Sequence, residues 1–502
     1  MIILATLNAR FIHTSLSLRY LYANLNELQS KAKILEFTIN DNINDIAEQI
    51  LDYNPSIVAL STYIWNASQM SELIDILKDI SPSTQIILGG PEAGYLPHRV
   101  DFSRADYFIN GEGEVAFYEL CRDILDKKPS IPRFIKASMV DLESIKLPYE
   151  FYSDEDIAHR YIYVETSRGC PFECEFCLSS IDERVRYFPL DVMLNEFSKL
   201  WDRGVRNFKF IDRTFNLKIS YATAIMDFFL SKNEQFFLHF EVIPDSFPDA
   251  LRDKIEQFPA GSLQLEIGIQ TLNPQIAKNI NRPLRLEKIY ENLSFLEQRT
   301  KAHMHLDLIV GLPDETIESF GANLDKLASI THSEIQIGIL KKLSGTTLPR
   351  HEEPYAMIYS TTPPYDILQT NHLSYKDIQN MKRFARFWDI FYNSGNFKKS
   401  IQMLWSRNND EIKPVFKSFY DFSIWIYRQT LSTYKISQDR QAELLYRYLC
   451  KFYSDDIIKQ TLVEDLAKDI KKNLPPFLRY ENIEIKKEAT KKATPSRQSK
   501  WA

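Results

Sequence analysis

The sequence predicts an α/β protein in three parts: a doubly wound parallel domain, a central domain of the partial TIM-barrel type, and a mostly α-helical carboxyl-terminal domain. Two series of short apolar runs alternate with helical patterns, the first with five runs and the second with six. Repeated βα units of this kind form parallel sheets or barrels. After the second series the chain becomes helical and rich in aromatic residues. The 502 residues exceed what one hydrophobic core usually holds, so several domains are expected.

The first series predicts a flavodoxin-like domain over residues 1–128. Its strands are apolar at nearly every position, as in parallel sheets covered by helices on both faces. Ligands on such sheets bind beyond the carboxyl ends of the strands. Those ends fall at residues 8–13, 62–68, 89–94 and 111–114. The predicted strands are residues 2–7, 32–37, 57–63, 85–88 and 107–109.

The second series predicts a (β/α)6 partial barrel over residues 156–350, after a proline-containing linker at residues 129–155. The chemistry of such barrels lies at the carboxyl ends of the strands. A helical domain is expected at residues 351–484. A disordered tail is expected at residues 485–502, where Lys, Thr and Ser replace the apolar periodicity. The predicted strands are residues 161–166, 207–212, 236–243, 263–270, 303–310 and 334–340.

The composition predicts a protein of the reducing cytoplasm. The net charge of −6 gives no general attraction to nucleic acid or to an anionic membrane, so neither is an expected partner. No apolar run is long enough to span a membrane, and the first residues lack the features of a signal peptide. Three of the five cysteines lie within eight positions, whereas a disulfide framework would spread them out.

Those three cysteines, Cys170, Cys174 and Cys177, follow a predicted strand at the spacing C-x-x-x-C-x-x-C. Three closely spaced thiolates can hold three irons of a four-iron cluster. No fourth cysteine is near in sequence, so the fourth iron would be open to a substrate ligand. A structural zinc site, with His159 as the nearest additional ligand, and simple packing of buried cysteines are the alternatives.

The cysteine spacing, with the aromatic Phe176 just before the last cysteine, resembles the signature of the radical S-adenosylmethionine superfamily. The resemblance implies a 4Fe–4S cluster on the three cysteines. It also implies that S-adenosylmethionine binds the open iron and is cleaved to a 5′-deoxyadenosyl radical, which abstracts hydrogen from a substrate.

Further motifs at the barrel strand ends resemble the same superfamily. By this resemblance, Asp212 would contact the methionyl amino group of S-adenosylmethionine, Glu241 would reach its ribose, and Arg282 would pair with its carboxylate. For Asp212 a capping or ion-pairing role is the alternative, and for Arg282 a surface position. The predicted S-adenosylmethionine site consists of Phe176, Asp212, Glu241, Gln270, Arg282 and Ile309.

The amino-terminal domain is similar to the cobalamin-binding domain of the B12-dependent radical S-adenosylmethionine enzymes. The similarity rests on glycine and polar residues at three strand ends, at 61–66, 88–92 and 111–114. The Asp-x-His-x-x-Gly motif that supplies an axial histidine in many cobalamin proteins is absent. A domain kept only for folding is the alternative. The predicted cobalamin-binding residues are Asn8, Thr62, Trp65, Asn66, Gly89, Gly90, Glu92, Gly111, Glu112 and Gly113.

The resemblance implies a cobalamin-dependent radical methyltransferase that acts on an unactivated carbon. The helical region after residue 351 resembles the extra domain of an uncharacterised subgroup of these enzymes. A radical enzyme that rearranges or cyclises its substrate without functional cobalamin is the first alternative, and an iron–sulfur electron-transfer protein is another. The expected partners are a small-molecule or peptide substrate and an external one-electron reductant of the flavodoxin or ferredoxin type.

Overall fold

The computed structural model describes residues 1–406, 413–466 and 474–478. It divides into two compact units. The first unit comprises residues 1–213, 341–347 and 359–366, and the second holds the rest of the described chain. The expected tail at residues 485–502 lies outside the described residues. Among the described residues, no helix combines the length and the apolar character needed to cross a membrane.

A six-stranded parallel sheet begins the first unit, in the order β2-β1-β3-β4-β5-β6. The order reverses direction between β1 and β3, which is where ligands bind on doubly wound sheets. The helices are α1 (Leu16–Ala23), α2 (Ile43–Leu51), α3 (Ala67–Ile80) and α4 (Gly113–Leu125). The strands are β1 (Ile2–Asn8), β2 (Ala32–Thr38), β3 (Ile57–Ser61), β4 (Gln85–Gly89), β5 (Tyr107–Asn110) and β6 (Phe134–Lys136).

Both faces of this sheet are buried, because alternate side chains of each strand point to opposite faces. In β1, Ile3 and Leu7 pack in one apolar cluster with α2 and α3, whereas Ile2 and Leu4 pack in a second cluster with α1 and α4. The helices therefore cover the two faces, and only the strand ends remain open for a ligand.

The segment predicted as a linker contains strand β6, which adds a sixth strand to the edge of the sheet. Phe108 pairs with Phe134, and Asn110 with Lys136. Three residues are too few to give a periodic signal, so the sequence pattern could not reveal this strand.

Two strands of the central region, β7 (Ile162–Val164) and β10 (Asn207–Phe210), also belong to the first unit and pair in parallel. Helix α5 (Asp154–His159) precedes β7, and α6 (Leu190–Asp202) precedes β10. Between them, the short antiparallel strands β8 (Ser167–Arg168) and β9 (Arg186–Tyr187) enclose the cysteine segment as the two sides of one loop.

The second unit contains four further parallel strands, so all six predicted strands of the central region are present. They are β11 (Phe237–Val242), β12 (Leu263–Gln270), β13 (His303–Val310) and β14 (Glu334–Ile339). One face of these strands is apolar and the other is polar, as the alternation along β13 shows. The intervening helices are α7 (Ile219–Leu230), α8 (Asp249–Ile255), α9 (Pro274–Asn279), α10 (Leu286–Arg299) and α11 (Ile317–Ile330).

The described carboxyl-terminal residues are mainly helical, which completes the predicted fold class. Helix α12 runs directly into a π-helical turn at Asp389–Asn393. The Asn393 side chain accepts a hydrogen bond from Ile335 N and donates one to Ile335 O, at 3.0 and 2.9 Å, which fixes this turn to β14. The helices are α12 (Tyr375–Trp388), α13 (Val415–Thr430), α14 (Gln438–Leu449) and α15 (Asp455–Leu466).

Candidate active site

The three cysteines lie in the loop between β8 and β9, and none of them forms a disulfide. Cys170 and Cys174 are buried, whereas Cys177 is half-buried. The amide of Cys170 donates to Asp182 O at 2.8 Å, which closes the loop. Gly169 precedes the first cysteine with φ of +89°, and a Cβ there would lie 2.4 Å from a backbone oxygen. Glycine is therefore required at this turn.

The cysteine loop supplies three sulfur donors, and each could bind one iron of a cluster. Among the described residues, no three cysteine, histidine or acidic side chains converge on a point where one ion would sit. The thiolates of a four-iron cluster each bind a different iron and so stand farther apart than the ligands of one zinc ion. The soft sulfur donors suit iron–sulfur chemistry.

Asp212 fixes the strand end that precedes this loop. Its carboxylate accepts hydrogen bonds from Thr166 N at 3.0 and 3.1 Å and from the Thr166 and Ser167 hydroxyls at 2.6 Å. Burial raises the pKa of Asp212 to about 6, although these hydrogen bonds oppose the shift. The Asp212 carboxylate is thus hydrogen-bonded to Thr166 and Ser167. Its contact with the methionyl amino group stays a prediction.

In the second unit, carboxylates gather on the polar face of β11, β12 and β13. Glu241 is in register with Glu266, and Gly268 with Asp307. Burial raises the pKa of Asp307 well above its usual range, and the charges of Glu266 and Glu241 raise it further, whereas Arg282 lowers it. Sequence reasoning selected Glu241 and missed Glu266 and Asp307. The alternation of polar residues along β12 and β13 is the signal that could have found them.

Two further predicted residues surround Gly268. The Arg282 guanidinium donates to Gly268 O, and a Cβ on Gly268 would lie 2.7 Å from the Gln270 Nε2 atom. Ile309 lies farther along β13 on the polar face. Phe176 is half-buried beside the last cysteine of the loop in the first unit. Contact of these residues with S-adenosylmethionine stays a prediction.

A cavity of about 300 Å³ opens at the carboxyl ends of β3, β4 and β5 in the first unit. Ala59, Ile87, Ile109 and Phe117 make its deeper wall apolar. Five predicted cobalamin-binding residues line it, namely Gly89, Gly90, Gly111, Glu112 and Gly113. Other lining residues were not selected. Tyr20, Glu165, Arg168 and Ile211 join the cavity only through the fold, whereas Tyr63 and Glu114 stand in the strand-end segments 61–66 and 111–114.

Arg168 connects this cavity to the cysteine loop, which begins two residues later. Its guanidinium lies 2.8 Å from Glu165 Oε1, 2.7 Å from Glu114 Oε1 and 3.5 Å from Glu112 Oε1. It also lies over the Tyr20 ring at 4.9 Å. Three carboxylates therefore surround one cation in the cavity wall.

A second cavity of about 410 Å³ shares several lining residues with the first, including Ser17 and Tyr63. His13 Nδ1 lies 2.6 Å from the Tyr163 hydroxyl at its wall. The Trp65 ring stacks on Tyr63 with centroids 4.4 Å apart, and its Nε1 donates to Leu7 O. Two predicted cobalamin-binding residues, Asn8 and Trp65, line this cavity.

Three predicted cobalamin-binding residues, Thr62, Asn66 and Glu92, line neither cavity. Asn66 donates to Leu7 O and Ser61 O, and the Thr62 hydroxyl donates to Gly89 O. Glu92 lies 3.9 Å from Arg99. These side chains hold the loops in the structure, and their contact with a ligand stays a prediction.

Three family models match the chain. The B12 binding domain matches residues 2–121, the radical SAM superfamily matches residues 164–327, and a protein family of unknown function, DUF4080, matches residues 353–501. The first two matches contain the cavity-forming strands and the cysteine loop.

Among curated proteins, the chain is 24% identical over 408 residues to an uncharacterized methyltransferase of Pyrococcus horikoshii, which covers 74% of this chain and 86% of the relative. It is 25% identical over 358 residues to the cobalamin-dependent radical SAM methyltransferase TokK of Streptomyces tokunonensis, and it spans about half of TokK, 51%. The solved structure of OxsB, a cobalamin-dependent S-adenosylmethionine radical enzyme, shares the fold with a TM-score of 0.62 and 15% identity, over 94% of this chain and 80% of OxsB.

Proposed function

We propose that the chain is a cobalamin-dependent radical S-adenosylmethionine methyltransferase acting on an unactivated carbon, since its residues match the family models of the B12 binding domain and of the radical SAM superfamily. One observation carries this proposal. Arg168 lies in the wall of a cavity at the strand ends of the B12-binding domain and directly precedes the cysteine loop. A cobalamin site and a cluster site would thus be neighbours in one unit.

When bound, S-adenosylmethionine and cobalamin supply a 5′-deoxyadenosyl radical and a transferable methyl group. Cys170, Cys174 and Cys177 would hold the cluster through their thiolates. Asp212 holds Thr166 and Ser167 in place and so orients the strand end that leads into the cysteine loop.

The first cavity, of about 300 Å³, would hold part of a cobalamin, such as its nucleotide base. A Cβ at Gly89 would meet no atom within 4 Å, so this strand end borders open space. The apolar deeper wall suits an aromatic base, and the carboxylates suit hydrogen-bond donors. No histidine is among the described residues that line this cavity.

The proposed partners follow from the chemistry. Each turnover needs a one-electron reductant of the flavodoxin or ferredoxin type. The cluster-binding thiols must remain reduced until the cluster is assembled, which favours work in the reducing cytoplasm. The substrate would be a small molecule or a peptide.

Anaerobic reconstitution of the full chain tests the proposal. With a reductant and S-adenosylmethionine, the wild-type protein should bind four irons, retain cobalamin, and form both 5′-deoxyadenosine and S-adenosylhomocysteine. Cys174→Ala should lose the cluster and 5′-deoxyadenosine formation, whereas Cys450→Ala, at an exposed cysteine outside the loop, should keep both. An unaffected Cys174→Ala variant would refute the cluster assignment.

The nucleoside products separate the alternatives. A radical enzyme without functional cobalamin would form 5′-deoxyadenosine but would neither retain cobalamin nor form S-adenosylhomocysteine. An electron-transfer protein would form neither product in the presence of reductant.

A further inference from the structure

The wall of the first cavity contains a group of acidic side chains. Three carboxylates, Glu112, Glu114 and Glu165, line it together with a single cation, Arg168. All three approach the same guanidinium, at 2.7 to 3.5 Å. Glu112 is also bound by Arg186, which donates to both of its carboxylate oxygens, so the excess of negative charge beside Arg168 comes from Glu114 and Glu165.

One carboxylate oxygen of Glu114 has no hydrogen-bond donor. Its Oε1 is 2.7 Å from Arg168 Nη2, whereas its Oε2 has no hydrogen-bond partner among the described residues. The residue is only 5% exposed. A buried carboxylate oxygen without a donor costs free energy, so a ligand donor at this position would stabilise the protein.

We infer that Glu114 accepts a hydrogen bond from a primary carboxamide of the corrin ring, and that the acidic wall selects corrinoids whose side chains are amidated. This inference rests on the proposed use of cobalamin. A carboxamide offers N–H donors, whereas a carboxylate at the same position offers only acceptors. Next to Glu114 and its two acidic neighbours, a ligand carboxylate would also meet like charge.

The inference is tested by binding rather than by turnover. Cobalamin and its three propionamide-hydrolysed monocarboxylic acids are titrated separately into the full chain, and dissociation constants are read from corrin absorbance or fluorescence quenching. The wild-type protein should bind at least one monocarboxylic acid about tenfold or more weakly than cobalamin, because one lost charge-assisted hydrogen bond is of that size.

Glu114→Gln should reduce this discrimination to about threefold or less, because the glutamine amide can donate to a ligand carboxylate. Glu119→Gln is the matched control. It makes the same charge change on the same helix at an exposed residue outside the cavity lining, and it should leave the discrimination unchanged. If Glu114→Gln does not fold, Glu165→Gln removes the other carboxylate that lies against Arg168 and should weaken the discrimination in the same direction.

The outcomes separate this inference from the proposed function. Failure of the wild-type protein to bind cobalamin would contradict the proposed function. Binding of cobalamin together with equal affinity for all three acids would overturn only the inference. A Glu114→Gln variant that discriminates between cobalamin and the acids as the wild-type protein does would likewise overturn only the inference.

Discussion

Glu315 is a fully buried carboxyl group in the turn after β13, and its environment makes stability depend on pH. Its Oε2 accepts a hydrogen bond from Gly311 N at 2.9 Å. Burial raises the pKa of Glu315 to about 8, against the opposing effect of hydrogen bonds from Gly311 and Leu312. At neutral pH the folded protein therefore holds a proton here that the unfolded chain releases.

Because of this proton, the effect of Glu315→Gln on the unfolding free energy should depend on pH. A raised acid pKa contributes stability that is complete below the ordinary glutamate pKa and is lost as pH rises toward the folded pKa of about 8. Glu315→Gln stays uncharged and keeps the acceptor. Its unfolding free energy relative to wild type should rise by roughly 1.4 kcal/mol per pH unit between about pH 5 and 8.

Unfolding of the apo protein at several pH values measures this difference in unfolding free energy. Glu318→Gln, at an exposed residue, is the control, and a pH-independent difference for Glu315→Gln would contradict the prediction.

Sequence reasoning at this scale is most informative where the chemistry is local. The cysteine spacing is readable because all three residues lie in one loop. Glu114 stands in the strand-end segment 111–114 but was not selected as a binding residue. Its pairing with Arg168 could not be predicted, because the two residues are 54 positions apart in sequence and meet only in the folded chain. Glu266 carried a usable signal in the polar alternation along its strand, but no motif marked it as a site residue.

The π-helical turn at Asp389–Asn393 is one of the elements that attach the helical domain to the parallel strands of the second unit. Asn393 is buried, and its side chain satisfies both backbone groups of Ile335 in β14. Asn393→Ala would leave a buried N–H and a buried C=O unpaired, and each such group costs about 1–3 kcal/mol. We expect a lower thermal unfolding midpoint for this variant. Asn371→Ala, at an exposed position, should show little change. A midpoint equal to wild type would show that Asn393 does not secure the turn.

At the scale of elements, long apolar strands were predictable and short or irregular elements were not. Every strand of the two predicted series is present. Strand β6 has three residues, too few for a period, and the π-helical turn continues α12 without any break in the hydrophobic pattern. The sequence therefore predicted the long strands but neither strand β6 nor the π-helical turn that contacts β14.

For the whole molecule, the order of the domains could be predicted from the sequence. The proximity of the cavity and the cysteine loop within the first unit could not be predicted. The cavity needs strand ends from β3, β4 and β5 together with α1, α4 and the segment before the cysteines. Only the fold brings these parts together. Although Arg168 touches both regions, the cavity wall and the cysteine loop use different residues, so binding of the two cofactors should be separable.

Two substitutions test this separation. Gly89 lines the cavity, and because a Cβ there meets no atom within 4 Å, Gly89→Leu should fold while its side chain fills space that cobalamin needs. We expect loss of at least tenfold in cobalamin affinity with unchanged iron content, and a smaller loss for Gly89→Ala. Cys174→Ala should show the reverse, with iron lost and cobalamin retained. Absorbance titration and iron analysis of the same preparations measure both quantities. Joint loss of both cofactors in either variant, with an unchanged unfolding midpoint, would mean that the two sites assemble as one.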